Sequence, residues 1–210
     1  MITVHHLNNS RSQRIVWLLE ELQIPYAIKA YTRDLATNLA PPELKAIHPL
    51  GKSPVIDDDG RVVTESGAIT DYIIRRHGGG RLAPVPGTDA HETYLEWLHF
   101  AEGSAMTPFL LSLYTARLGE AGAPLQPRIQ EQIGAHVTYF SNALGSNDWL
   151  VENTLSGADV MMSFIAEIAG GRGQSTEFPN LAAYVKRLQS RPAWQAAMAK
   201  TAPYNFTAKD

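Results

Sequence analysis

The 210-residue sequence contains no cysteine. That absence removes disulfides, thiolate metal sites and a protein thiolate nucleophile together, so any thiol chemistry must use a thiol carried in by a substrate. Positive charge is also short: 18 Lys and Arg against 21 Asp and Glu leave a formal net charge of -3. With no excess of positive charge, neither nucleic acid nor an anionic membrane is expected as a partner. No stretch approaches the roughly 20 apolar residues that span a bilayer. Residues 103–116 are uncharged, but Ser, Thr and Pro interrupt them. The start, Met1-Ile2-Thr3-Val4, has no basic segment leading into an apolar run and a cleavage site, so a cytoplasmic location is expected. HExxH, GxxxxGK[ST] and GxSxG are all missing. His5 and His6 are adjacent, but successive strand residues point to opposite faces, so their imidazoles diverge and no metal is expected.

What is present is a chain with 44% apolar residues, enough to bury one large core or two modest ones. Ile2, Val4 and His6 alternate with Thr3, His5 and Leu7, predicting a first strand that ends where Asn8, Asn9 and Ser10 supply turn chemistry. Ile15, Val16, Leu18, Leu19 and Leu22 fall at helical spacing, and Pro25 closes that segment before an extended stretch from Tyr26 to Tyr31. Pro41 and Pro42 open a short helical turn. Residues 53–64 read as a hairpin, Ser53-Pro54-Val55-Ile56 leading through Asp57-Asp58-Asp59-Gly60 into Arg61-Val62-Val63-Thr64. Ser66 then caps a helix carrying Ile69, Tyr72 and Ile73, which ends at Gly78-Gly79-Gly80. The order is βαβ, short helix, ββ, α over residues 1–78. Residues 79–88 hold too many Gly and Pro for a regular element and form a linker. Residues 89–210 read as helices throughout. Asp89 and Glu92 open the first, Pro108 kinks it, Gly145 stops the next, and Gly170-Gly171 ends another. Ser156 and Asp159 have the spacing of an acidic capping box before Val160 and Met161.

Four segments, taken in order, carry a specific resemblance: Asn9-Ser10-Arg11-Ser12-Gln13-Arg14, Gly51-Lys52-Ser53-Pro54-Val55-Ile56, Glu65-Ser66-Gly67-Ala68-Ile69 and Ser156-Gly157-Ala158-Asp159. Together they resemble the glutathione transferase family, in particular its serine-type bacterial and fungal members, over nearly the whole chain. The resemblance implies an α/β thioredoxin-like N-terminal domain (1–78) that binds glutathione and an all-α C-terminal domain (89–210) that contributes the electrophile site. It also implies a homodimer, with glutathione as co-substrate and no metal.

The residues fit the needs of glutathione. The free N–H groups and partial positive charge at the helix opened by Ser66 suit the γ-glutamyl carboxylate, and Glu65 suits the ammonium. The resemblance further implies that Pro54 is cis, with Val55 pairing its backbone to the cysteinyl unit, and that Lys52 reaches the glycyl carboxylate. A free thiol with a pKa near 8.5 is mostly un-ionised at neutral pH, so the site must favour the anion. Ser10, four residues before Arg14, has the place and spacing of the catalytic serine in serine-type relatives. Ser12 competes for the role, one of the two being expected to cap the helix, and Arg11 and Asn9 are helpers. The activity implied is attack of the bound thiolate on an electrophilic, largely apolar substrate, as in detoxification. Glutathione-dependent peroxidase or isomerase chemistry on the same scaffold, or a noncatalytic interaction module, remain the alternatives.

Overall fold

The computed structural model describes residues 1–171 and 177–204. It divides into two compact units, Met1–Pro84 with Arg187 onward, and Val85–Lys186.

In the first unit, β1 (Ile2–Leu7), α1 (Ser12–Leu22) and β2 (Tyr26–Tyr31) form a βαβ crossover. They are followed by α2 (Pro42–Ile47), the hairpin β3 (Val55–Asp58) and β4 (Arg61–Thr64), and α3 (Ser66–Arg76). The sheet order is β2-β1-β3-β4, with β1 parallel to β2 and antiparallel to β3, and β3 antiparallel to β4. The two-residue turn Asp59-Gly60 has positive φ at both positions (49° and 90°), the backbone shape that matches the twist of a tight hairpin. Alternating burial was expected for β1, yet five of its six residues are buried. Its central place in the sheet, with both faces covered, overrides the two-residue period.

Ile15, Val16, Leu18, Leu19 and Leu22 of α1 are at most 2% exposed, and burial of each contributes roughly 1.5–3 kcal/mol. Gln23 ends α1 in the left-handed region (φ 55°). The last helix, α9 (Pro192–Thr201), belongs by its packing to this unit and lies along α1. Arg191 grips both carboxylate oxygens of Glu21 at 2.5 and 2.9 Å, and Lys200 pairs with Glu20.

The second unit contains α4 (Asp89–Phe100), α5 (Met106–Ala116), α6 (Gln126–Leu144), α7 (Gly157–Gly171) and most of α8 (Pro179–Ser190). The cap of α4 is Thr88, whose hydroxyl accepts the His91 N–H at 3.2 Å. Asp89 and Glu92, expected to open this helix, instead lie in its first turn, where their charge favours the helix dipole. Upstream of Pro108 the chain runs through a π-helical segment, Ala101–Ala105. A proline cannot donate to the carbonyl four residues back, and a π turn absorbs the shift in register. Gly145 (φ 55°) stops α6. The expected stop of α7 at Gly170-Gly171 borders residues 172–176, which lie outside the described residues.

In the first turn of α7, the Asp159 carboxylate accepts hydrogen bonds from the Ser156 N–H (2.9 Å) and hydroxyl (3.1 Å), the Leu150 N–H (3.0 Å) and the Tyr184 hydroxyl (3.1 Å). The Ser156 hydroxyl in turn accepts the Ala158 N–H at 3.2 Å. The capping box therefore forms, with the serine serving the second residue of the helix. Among the described residues no helix is long and apolar enough to cross a membrane.

Candidate functional site

Strand register gathers the sequence-selected residues of the first unit. His5, near the end of β1, lies opposite Val55 at the start of β3, and Val55 lies opposite Thr64 at the end of β4. The turn after β1 (Asn8–Arg11), the segment before β3 (Lys52–Pro54) and the start of α3 (Glu65, Ser66) therefore emerge at one end of the sheet.

His5 and His6 do point to opposite faces. The His5 ring stacks on Tyr31 at 5.8 Å, with Nδ1 2.9 Å from the tyrosine hydroxyl, whereas His6 Nδ1 lies 2.8 Å from Ser12 Oγ. Burial pushes both imidazoles below their ordinary value, which favours the neutral ring. Lys29 lowers His5 further, while a hydrogen bond to the Thr201 backbone acts in the opposite sense on His6.

After Leu7 the chain turns through Asn9, which is exposed and left-handed (φ 49°). Arg33 holds this turn from the segment after β2. Its guanidinium donates to the backbone carbonyls of Asn8 (3.2 Å), Asn9 (3.4 Å) and Asn38 (3.0 Å), and its N–H donates to the Asn8 side chain at 2.8 Å. Arg11 is the residue before α1, whose side chain makes no cap.

Ser10 and Ser12 have distinct surroundings. Ser12 is fully buried, with its hydroxyl 2.8 Å from His6 Nδ1, 2.8 Å from Ser10 Oγ and 3.4 Å from the Leu7 carbonyl. Ser10 is buried too, at 7% exposure, but less completely than Ser12, and its Oγ accepts the Ser12 N–H at 3.3 Å, which ties down the helix start. A third hydroxyl joins them. Ser53 Oγ lies 3.3 Å from Ser10 Oγ, donates to the His5 carbonyl at 2.9 Å and accepts the Leu7 N–H at 3.3 Å.

The Ser53–Pro54 peptide is cis, as the resemblance implied. Val55 is flanked by strands on both sides, through His5 and Thr64, and Lys52 is exposed. At α3, Ser66 is buried as the first helical residue, and the first turn carries no acidic side chain to compete for its N–H groups. Glu65, exposed, adopts φ 68° and ψ 121°, a backbone state that costs a non-glycine residue about 1–3 kcal/mol. Such strain persists where surrounding structure over-determines it, and it aims Glu65 beside the helix N-terminus.

Two helix N-termini, a row of hydroxyls and a carboxylate at one sheet end make an anion site with a cation partner. Comparison with known proteins decides which kind. Residues 1–75 match the family "Glutathione S-transferase, N-terminal domain", and residues 101–192 match "Glutathione S-transferase, C-terminal domain". The chain belongs to the glutathione transferase family. It is 33% identical to glutathione S-transferase 3 of Schizosaccharomyces pombe, over 99% of this chain and 90% of that protein. With glutathione S-transferase 1 of Saccharomyces cerevisiae it shares 30% identity, over 95% of each. The crystal structure of a glutathione S-transferase from Actinobacillus pleuropneumoniae matches with a TM-score of 0.89 at 32% identity, covering 100% of this chain and 97% of the other. The protein is a glutathione transferase enzyme in a fold of a four-stranded mixed-sheet unit and a helical unit.

In this transferase three residues of the site were not selected from sequence: Ser53, His6 and Arg33. Ser53 stands beside Pro54, whose backbone role overshadows it in the sequence. His6 was weighed only as a metal ligand, although its six-residue spacing from Ser12 is that of a strand end facing the helix after it.

Proposed function

We propose that the chain transfers glutathione to an electrophilic, largely apolar substrate, with Ser10 holding the bound thiol as its anion. One observation carries this reading: of the three clustered hydroxyls, Ser10 combines residual exposure with a place at the N-terminus of α1. Ser12 is fully buried and serves behind it. The γ-glutamyl carboxylate is assigned to Ser66 and the N-terminus of α3, the ammonium to Glu65, and the glycyl carboxylate to Lys52. The backbone at cis-Pro54, just ahead of the strand-paired Val55, takes the cysteinyl unit, with Arg11 and Asn9 shaping the turn.

The thiol loses its proton, the sulfur forms a bond to the electrophilic carbon, and a leaving group departs or, in an addition, a proton is taken up. The hydroxyl hydrogen bond and the positive end of α1 favour the thiolate over the thiol. Bringing both reactants together supplies the rest of the acceleration. The setting proposed is a homodimer in the cytoplasm that captures reactive electrophiles.

The test is Ser10→Ala. Glutathione affinity is expected to stay within a fewfold, while the bound thiol's pKa rises toward about 8.5 and turnover of a generic electrophile falls, recovering as pH increases. Unchanged titration and turnover in Ser10→Ala, with loss in Arg11→Ala, would move the assignment to Arg11.

A further inference from the structure

A hydroxyl has one proton to give, so the cluster is understood by finding the acceptor of each. Ser53 donates to the His5 carbonyl at 2.9 Å. His6 is 4% exposed, and burial favours its neutral ring, against a backbone hydrogen bond with Thr201 at the end of α9 that favours the charged form, the sense of a ring N–H donating to a carbonyl. Nδ1 is occupied by Ser12, so Nε2 is the nitrogen that carries the proton and Nδ1 keeps its lone pair. Ser12 therefore donates to His6 Nδ1 at 2.8 Å, nearer than its second acceptor, the Leu7 carbonyl at 3.4 Å, and takes the Ser10 proton at 2.8 Å, nearer to Ser10 than the competing Ser53 hydroxyl at 3.3 Å. In the free protein the proton row runs inward, from Ser10 to Ser12 to His6.

The geometry points to His6 as the internal acceptor of the glutathione thiol proton, delivered through the hydroxyls of Ser10 and Ser12. The inference rests on Ser10 facing the thiol, as in the proposed function. Each step breaks one bond to hydrogen and makes one: the thiol proton passes to Ser10 Oγ, the Ser10 proton to Ser12 Oγ, and the Ser12 proton to His6 Nδ1. The products are a thiolate and an imidazolium, and no proton leaves the protein. Every hydrogen bond in the row is then reversed, so Ser10 donates to the sulfur. Donation becomes charge-assisted at both ends of the row. The carbonyl at the C-terminus of α9, where the helix dipole is negative, holds the tautomer and favours the imidazolium. Facing His6 are Ser12 on α1 and the Thr201 backbone on α9, while its titratable neighbour on β1, His5, lies on the other face toward Tyr31. Burial keeps free His6 neutral, the state a proton acceptor requires, and the same burial opposes the imidazolium, which the neighbouring thiolate charge and the Thr201 carbonyl must offset.

The decisive measurement is the number of protons released per thiolate formed when glutathione binds. It is read by calorimetry in buffers of different ionisation enthalpy, with thiolate absorbance measured in parallel and S-methylglutathione as the thiol-free control. The unsubstituted protein is expected to release well under one proton per thiolate. His6→Asn keeps an acceptor near Ser12 but cannot take up a proton, so release should rise to one per thiolate and the thiolate fraction should fall roughly tenfold, one pKa unit. Ser12→Ala should behave alike, and the double variant no worse than either single one. Release of one full proton per thiolate by the unsubstituted protein overturns the relay, and that result needs no variant to fold. If Ser10→Ala leaves the thiol pKa unchanged, the Ser10 reading fails as well. If Ser10→Ala raises it while the parent releases a full proton, the relay alone is wrong.

Discussion

Val55 lies opposite Thr64 in the β3–β4 ladder, so Pro54, just before one strand, and Glu65, just after the other, leave the hairpin side by side. The proposed pocket for the peptide backbone and the proposed pocket for its γ-glutamyl end are thus set by a single register.

Glu65 allows folding and binding to be separated. Its φ of 68° suits glycine, so Glu65→Gly should relieve backbone strain and leave stability equal to or above the parent's. Loss of the carboxylate should still weaken glutathione binding by about 1.5–3 kcal/mol, at least tenfold. Calorimetric titration beside a thermal melt reads both. A variant that is stable and binds glutathione normally would place the ammonium elsewhere.

Ser66→Ala addresses the other end of the same group. The helix N–H groups survive the change, so a smaller loss is expected than for Glu65→Gly, about 1 kcal/mol of binding. A loss larger than that of Glu65→Gly would mean that the hydroxyl, not the backbone, dominates recognition of the carboxylate.

Arg33 ties the Asn8-Asn9 turn to the segment after β2 by guanidinium bonds to the Asn8 and Asn9 carbonyls and a backbone N–H bond to the Asn8 side chain. Arg33→Ala should lower turnover severalfold by loosening the turn that presents Ser10, with about 1 kcal/mol or less lost in stability because the guanidinium lies near the surface. Steady-state kinetics and urea unfolding distinguish the outcomes. Full turnover in a folded variant would show that the turn is held without it.

Much of this was legible in the sequence because local chemistry and final structure agree. The apolar spacing of α1, the Asp57-Asp58-Asp59-Gly60 turn and the Ser156–Asp159 cap are each decided by contacts within a few residues. The roles of Arg33 and Ser53 were not, since their bonds to Asn8 and Ser10 span 25 and 43 residues and exist only once β2 and β3 flank β1. The distinction between Ser10 and Ser12 also required three dimensions. Both are turn hydroxyls in sequence, and the face of β1 that His6 occupies makes Ser12 the buried partner. The π-helical segment before Pro108 was foreshadowed by the proline, but its form depends on how the two flanking helices are held.

A dimer is expected from surface as well as family habit. Tyr139, 54% exposed, stacks at 5.5 Å on buried Trp97 and packs against Phe100, leaving an aromatic face on α4 and α6. Light scattering at micromolar concentration should give about twice the 23.1 kDa chain mass, and a particle of single-chain mass would refute it.

Asp159 supplies a prediction in which the sign of the pH dependence is the test. Burial raises its carboxyl to about 6, against the pull of hydrogen bonds from Leu150, Ser156 and Tyr184. The folded protein therefore holds this proton at a pH where the unfolded chain, near the ordinary value of 3.8, has released it. For such a group the stabilisation is complete below about pH 4 and is lost as pH rises through about 6. The difference is on the order of 3 kcal/mol. Asp159→Asn removes the titration, and it also presents NH₂ to donors on one side, costing about 1–3 kcal/mol at any pH. Urea unfolding of parent and variant at pH 4 and pH 7 isolates this group, because every other carboxylate cancels in the comparison. The parent's advantage should be greater at pH 4 and should shrink toward neutrality, while activity per folded molecule stays unchanged, since Asp159 serves the helix cap rather than the glutathione site. An advantage that instead grows from pH 4 to pH 7 would mean that the four hydrogen bonds outweigh burial and that Asp159 folds as a stabilised carboxylate.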